Sequence, residues 1–135
     1  MTYKIMDIEG IGPAYGDKLS AVEIKTTDDL LSFCASSKGR EQIAGRSGLS
    51  EKLLLRWTNM ADLMRISGVG PEYAELLEAA GVDTVKELRR RNAENLAVAM
   101  KSVNEERKLT RSVPATSQVV RWVEAANGLE PTITY

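Results

Sequence analysis

Two short glycine motifs are the residues of this chain whose types and spacing could do chemistry. Each motif places one apolar residue between two glycines and is followed by proline, in residues 8–13 (IEGIGP) and residues 66–71 (ISGVGP). Glycine adopts positive φ at low steric cost, and proline is favoured at the first position of a helix. The first N–H groups of that helix have no partner within it and carry the positive end of its dipole, so they attract anions such as phosphate. The residues of the two predicted anion sites are Gly10, Ile11, Gly12, Gly68, Val69 and Gly70.

Basic side chains could add contacts to phosphate groups. Residues 86–111 contain eight basic and four acidic residues, which leaves a local net charge of +4. If the helices that carry them pack side by side, these side chains could converge and bind phosphates without reading base sequence. An ordinary solvated surface is the alternative, and the acidic residues Asp17, Glu72 and Glu75 behind the motifs would oppose a phosphate. The predicted basic contacts are Lys18, Arg89, Arg90, Arg91, Lys101, Arg107, Lys108 and Arg111.

The composition argues against an enzyme. The chain has 135 residues and a formal net charge of −1, with no histidine and one cysteine, Cys34. It lacks the usual general base near neutral pH, an imidazole ligand and a thiolate zinc site, so we expect no catalytic residue, no metal site and no cofactor. No run approaches 18 apolar residues and the amino end has no apolar signal core, so no membrane partner is expected. One unpaired cysteine fits a reducing compartment, and the expected location is cytoplasmic.

The chain contains an internal repeat. Residues 8–31 align with residues 66–89 at an offset of 58 without a gap, and nine of the 24 positions are identical. A weaker match follows each copy, with Arg56-Trp57 corresponding to Arg121-Trp122 at an offset of 65. Two copies are too few for a solenoid. We therefore predict two units, residues 1–62 and 63–135, that pack around a pseudo-two-fold axis as one compact body.

Nearly all local signals are helical. No segment alternates between apolar and polar residues, whereas residues 71–81 and 51–66 carry apolar residues at helical spacing, which predicts an all-α fold. The triplet at residues 89–91 is expected to lie on a helix, with one or two arginines paired with Glu87 or Glu94. The predicted N-caps are Thr26, Ser50, Thr84 and Asn92.

Aromatic residues occupy equivalent places in the two copies. Trp57 and Trp122 lie on apolar stripes and are assigned to the core. Tyr15 and Tyr73, two residues after each proline, are expected to pack over the neighbouring unit. Stacking on the bases of a single strand is the alternative for these tyrosines.

The order of helix, glycine turn and helix resembles the helix-hairpin-helix family. The second copy fits the pattern of that family well, and the first departs from it at Gly16, where the second has Ala74. The first copy also lacks a full helix before its turn. Nearly the whole chain is similar to an uncharacterised domain-of-unknown-function family of about this length that carries two such units in tandem. The matching residues of the second copy are Ile66, Gly68, Val69, Gly70, Ala74 and Leu77.

Two functions remain open from the sequence. The resemblance implies a non-enzymatic module that binds DNA or another nucleic acid weakly, with strong salt dependence and through backbone amides. The alternative is a protein–protein adaptor, since sterile-alpha-motif-like helical bundles often serve that role. The partner, the form of nucleic acid and the oligomeric state are not determined by the sequence.

Overall fold

The computed structural model describes residues 2–135, and these residues form an all-α structure. A 3-10 helix, Ile5–Asp7, precedes the first α-helix, and the β-type pairing within this range is limited to an isolated bridge between Lys4 and Thr26. The all-helical class predicted from the sequence is therefore confirmed. The eight α-helices of these residues are α1 Pro13–Ala21, α2 Thr27–Cys34, α3 Ser37–Ser47, α4 Glu51–Leu63, α5 Pro71–Ala79, α6 Val85–Leu88, α7 Ala93–Arg107 and α8 Thr116–Asn127.

The chain divides into two compact units. The first runs to Asp62 and includes the C-terminal residues Thr132–Tyr135, and the second is Leu63–Pro131. In the first unit, α3 packs against α1 and α2, and α1 also contacts the 3-10 helix. In the second unit, α8 packs against α6 and α7, and α7 packs against α5.

Short-range hydrogen bonds define where the helices begin, and the predicted N-caps are formed. At α2, Asp29 N–H donates to the Thr26 hydroxyl at 3.1 Å while Thr26 N–H donates to the Asp29 carboxylate at 3.1 Å, which completes a capping box. The side chains of Ser50, Thr84 and Asn92 accept N–H groups from the third residue ahead at 3.1, 3.2 and 2.9 Å. Each cap satisfies one otherwise unpaired donor at a helix start.

Helix α3 has no counterpart among the predicted helices. Its sequence, SKGREQIAGRS, contains two glycines and buries only Arg40 and Ile43. The helix therefore lacks a regular apolar stripe, and hydrogen bonds and backbone geometry at its two ends help to stabilise it. Ser36 accepts the N–H of Gly39 at 3.0 Å, and Gly48 ends the helix at a φ of 78°.

Cys34, the last residue of α2, is fully buried, as expected for a small apolar residue. Burial raises the pKa of its thiol from the ordinary value of 9.0 to about 11, although the Arg40 charge and the Thr58 hydroxyl act in the opposite direction. The unfolded chain thus releases this proton near pH 9, whereas the folded chain retains it until near pH 11. Thiol ionisation therefore favours the unfolded state between these two pH values.

We predict that the free energy of unfolding falls by on the order of 2 kcal/mol between about pH 9 and pH 11 because of this thiol alone, since one pKa unit corresponds to about 1.4 kcal/mol. The measurement is urea unfolding across that pH range for the wild type and for Cys34→Ala. Other groups titrate equally in both proteins, so the difference between the two slopes isolates the thiol. Parallel pH profiles for the two proteins would contradict the prediction.

Candidate nucleic-acid interface

The two glycine motifs form turns of nearly the same backbone geometry. Gly10 and Gly68 have φ angles of 91° and 92°, a region that a residue with a Cβ rarely adopts. Gly12 and Gly70 are the N-caps of α1 and α5, with ordinary extended φ angles of −86° and −91°. A proline follows each cap at the first helical position, as predicted.

The apolar residue inside each motif holds the turn and does not present a free donor. Ile11 and Val69 are buried, and their N–H groups donate to the carbonyl oxygens of Ile8 and Ile66 at 3.1 and 3.0 Å. Of the six motif residues, these two therefore contribute packing rather than a hydrogen bond to an anion. Within residues 2–135, no acceptor pairs with the N–H groups of the four motif glycines, Gly10, Gly12, Gly68 and Gly70.

An aromatic pair supports each turn. The ring centroids of Tyr15 and Trp57 are 5.1 Å apart with planes tilted by 57°, and those of Tyr73 and Trp122 are 5.2 Å apart with a tilt of 55°. Both tryptophans are buried, as predicted. Each tyrosine packs on the tryptophan of its own unit, a local pair that the sequence did not predict. The preferred tilted geometry of two aromatic rings accounts for this local pairing.

The tryptophan rings lie close to the positive-φ glycines. A Cβ built on Gly68 would lie 3.2 Å from Trp122 Nε1, and one built on Gly10 would lie 4.0 Å from Trp57 Nε1. Each indole N–H group is therefore near the turn. No acceptor in the described part of the chain pairs with either group.

Gly16, the departure of the first copy from the family pattern, has a packing explanation. A Cβ at Gly16 would lie 2.7 Å from Met6 Cγ, because the 3-10 helix before the first turn packs against α1. The second copy has Ala74 at this position, and it is fully buried. The short element that replaces a full preceding helix thus takes the space of the missing methyl group.

The arginine triplet does not lie on a helix. Helix α6 ends at Leu88, and Arg90 and Arg91 donate their N–H groups to residues three positions back, as in a turn. Arg91 Nε also donates to the Glu87 carboxylate at 3.1 Å, which is the pairing predicted for one arginine of the triplet. A second hydrogen bond, of 2.8 Å from Arg91 to the Gly81 carbonyl, stabilises this turn. Arg90 is exposed, whereas Arg89 and Arg91 are half-buried.

The remaining basic residues do not converge with the triplet. Arg91 precedes the N-cap of α7, whereas Arg107 is the last residue of that helix. Fifteen residues at 1.5 Å each separate the two ends by about 22 Å, so the predicted single basic surface is not formed. Lys101 lies between these ends, Lys108 and Arg111 follow α7, and Lys18 is exposed on α1 of the first unit.

A cavity next to the second turn contains residues that were not among the predicted contacts. It has a volume of about 320 Å³. Its basic residue, Arg121, is exposed on α8, and Gln118 lies one helical turn before it. The match of Arg121-Trp122 with Arg56-Trp57 was the signal that could have indicated it. The lining residues are Ser67, Gly68, Gln118, Arg121, Trp122 and Ala125.

The structure has few other features that suggest chemistry. Glu72 is exposed in the first turn of α5, where it suits the helix dipole and opposes a second anion. Residues 2–135 contain no group of three or more metal-ligating side chains. No helix in this range is long and apolar enough to span a bilayer.

Comparison with known proteins gives one match. Residues 9–129 match the model of a family described as Domain of unknown function (DUF4332). Neither the curated proteins nor the solved structures contain a significant match. The match covers most of the chain and includes both glycine turns.

Proposed function

We propose that this chain, which belongs to the family described as Domain of unknown function (DUF4332), is a non-enzymatic module that binds the phosphate backbone of DNA. Each glycine turn with its flanking helices acts as a helix-hairpin-helix unit, and the two units are copies of one repeat. Binding does not depend on base sequence, because main-chain donors at a turn position a phosphate without reaching the base edges.

One observation carries the proposal. At both turns, the glycine N–H groups are without an acceptor in residues 2–135, and they precede helices of nine residues each. Those of the N-cap glycines, Gly12 and Gly70, lie at the positive end of a helix dipole, which favours an anion. The prolines at the first helical position remove one donor each, which leaves the N–H groups of the N-cap glycine and of the second and third helical residues for a phosphate.

The charge of the chain predicts weak binding. The formal net charge is −1, and the predicted basic contacts of the second unit are spread along the length of α7. Such a protein can neutralise only a few phosphates. Each neutralised phosphate contributes about −0.9 to the slope of log affinity against log salt concentration. We therefore expect a slope of roughly −2 to −3 for duplex DNA, far smaller than that of a basic DNA-binding domain.

The test replaces an N-cap glycine with aspartate. Gly70→Asp is expected to weaken DNA binding by about tenfold or more, because a carboxylate at the N-cap accepts the free N–H groups itself and repels phosphate. Gly70 has a φ of −91°, which aspartate adopts readily, and aspartate is a preferred N-cap residue. The helix should therefore keep its stability while its anion site is lost. Fluorescence anisotropy with labelled duplex and single-stranded DNA at about 50 and about 200 mM salt gives the affinities and the salt slope.

Two further variants complete this test. Gly12→Asp makes the same change at the first turn, where a Cβ would have no neighbour within 4 Å. Gly45→Asp is the matched control, because it adds the same charge on the exposed face of α3, again with nothing within 4 Å of its Cβ. Equal binding by the wild type and all three variants, or no binding to either DNA form at the lower salt concentration, would refute the proposal.

A protein-binding function is favoured by one observation in the first unit. A surface cavity of about 530 Å³ runs along α3, and its apolar part includes the exposed ring of Phe33. Charged side chains of both signs, such as Lys38 and Glu41, surround it. An association that persists at high salt and is lost in Phe33→Ser would support this second function, whereas DNA binding lost in Gly70→Asp would support the first.

A further inference from the structure

We propose that the cavity beside the second turn is a phosphate-binding subsite formed by Trp122, Arg121, Gln118 and Gly68. The hydrogen-bond donors of the cavity argue for a phosphate group. That this phosphate belongs to a DNA strand rests on the proposed function. The inference assigns the stronger contact of the protein to the second unit. The turn alone would offer only backbone N–H groups to a phosphate. The proposed subsite adds three side chains, all from α8.

The indole N–H of Trp122 is the first sign of a ligand. The side chain is 2% exposed, yet its Nε1–H has no acceptor among residues 2–135. Nε1 is not among the fully buried unpaired atoms of residues 2–135, so this donor is the part of a buried ring that is open to a ligand. Trp122 lines the cavity, and its Nε1 lies 3.2 Å from the position of a Cβ on Gly68, at the wall formed by the turn. An acceptor in the cavity would satisfy it.

Arg121 supplies the charge. Its side chain is exposed, lines the same cavity, and makes no ion pair or hydrogen bond with any described residue of the chain. The guanidinium group presents parallel N–H donors that match two oxygens of a phosphate. Glu124, one turn further along α8, does not line the cavity. A free arginine next to an unpaired indole N–H favours an oxyanion over a neutral or cationic ligand.

The other lining residues agree with a phosphate. Gln118 contributes an amide and Ser67 a hydroxyl group, and no carboxylate is present among the six lining residues. The N–H of Gly68 is also without an acceptor in residues 2–135. Donors of five kinds thus surround one concave site, which suits a tetrahedral group with several acceptor oxygens.

The first turn does not repeat this arrangement. The position equivalent to Gln118 is Leu53, which has no donor, at the offset of 65 that aligns the two Arg-Trp pairs. Arg56, the equivalent of Arg121, already interacts with another part of the chain. Trp57 Nε1 is also further from its turn, at 4.0 Å from a Cβ on Gly10. The subsite is therefore a property of the second unit.

The two tryptophans allow a direct test. In a ¹⁵N-labelled protein, Trp57 and Trp122 give the two indole N–H signals, and the spectrum of Trp122→Phe identifies each one. Inorganic phosphate is titrated at constant ionic strength against chloride, and then duplex and single-stranded DNA are titrated separately. We expect the Trp122 signal to move and to saturate with phosphate and with DNA, while the Trp57 signal serves as the internal reference in the phosphate titration.

Binding affinities of exposed variants complete the experiment. Arg121→Gln is expected to weaken the binding of both phosphate and DNA by about tenfold, the loss typical of one hydrogen-bonded charge. Lys52→Gln on α4 removes the same charge at an exposed position of the first unit and should leave both affinities unchanged. Since Arg121 makes no hydrogen bond or ion pair within residues 2–135, its replacement should not alter folding.

The outcomes separate this inference from the proposed function. A Trp122 signal that responds to neither phosphate nor DNA overturns the subsite. DNA binding that is lost in Gly70→Asp but unchanged in Arg121→Gln also overturns it, while the proposed function stands. A saturating response to inorganic phosphate that Arg121→Gln weakens, with no binding of DNA, supports the subsite for a small phosphate ligand and refutes the proposed function.

Discussion

Replacing Gly39 with alanine should lower the free energy of unfolding by about 3 kcal/mol, near the upper end of the range for overpacking. Gly39 lies in the first turn of α3, where the chain has just left α2. A Cβ built on this residue would overlap the carbonyl oxygen of Phe33, a backbone atom that cannot move without displacing the end of α2. Alanine gains up to about 1 kcal/mol of helix propensity over glycine, so the overlap decides the sign.

The same helix provides the control. A Cβ at Gly45 would have no neighbour within 4 Å, and this glycine is exposed. Gly45→Ala should therefore stabilise the protein by up to about 1 kcal/mol through propensity alone. Urea unfolding followed by circular dichroism measures both variants. Two stabilising substitutions would show that the corner between α2 and α3 yields easily, which would contradict the predicted overlap.

The parts of the fold that the sequence predicted correctly depend on local interactions. Thr26 and Thr84 were identified as N-caps because the acceptor and its N–H donor are three residues apart. The glycine turns were identified for the same reason, since positive φ and the start of a helix are properties of a few adjacent residues. The all-α class followed from many such signals that agree with one another.

Contacts between distant residues were not accessible to this reasoning. The cavity at the second turn joins Gly68 to Arg121, which is more than 50 positions further along the chain. Arg91 was expected on a helix, but its bond to the carbonyl of Gly81 holds it in a turn. The run of arginines therefore suggested a concentrated basic surface, whereas its members are spread over the length of α7. Charge density along a sequence did not predict charge density in space.

The candidate site shows the same limit within a single residue. Both tryptophans were assigned to the core from their place on an apolar stripe, and both are buried. The stripe indicates which face of the helix is buried, but it does not show whether the indole N–H finds an acceptor. Neither indole N–H has an acceptor in residues 2–135, and the two tryptophans differ in their surroundings: Trp122 lines a cavity with Arg121 and Gln118.

Replacing Arg40 with methionine should also lower the free energy of unfolding by about 3 kcal/mol, since hydrogen bonds from a charged donor contribute about 1.5–3 kcal/mol each and burial of the charge offsets part of that gain. Arg40 is 5% exposed on α3. Its guanidinium group donates to the carbonyl oxygens of Cys34 and Ala35, both at 3.0 Å. These carbonyls lie at the C-terminal end of α2, where helix carbonyls lack an internal donor and a positive charge is favourable.

The same side chain holds the C-terminal residues of the first unit. Arg40 donates to the Thr134 carbonyl at 2.7 Å, and its Cζ lies 5.9 Å from the centroid of the Tyr135 ring. Thr134 N–H in turn donates to the Ala35 carbonyl at 2.8 Å. Methionine preserves the aliphatic packing but removes every donor, so we expect faster amide hydrogen exchange at Thr134 in addition to the lower stability.

The balance between desolvation and hydrogen bonding decides the result of Arg40→Met. Replacing a buried ion with a hydrophobic residue of similar volume is neutral or stabilising in some proteins, because the desolvation penalty of the charge disappears. Here the acceptors that remain are backbone carbonyls, which the substitution does not remove and which would lose their donor. Urea unfolding and Thr134 exchange are compared with those of Arg46→Met, an exposed arginine on the same helix that should change neither. Unchanged stability and exchange in Arg40→Met would mean that water satisfies these carbonyls as well as the guanidinium group does, and that the C-terminal residues are held by other contacts.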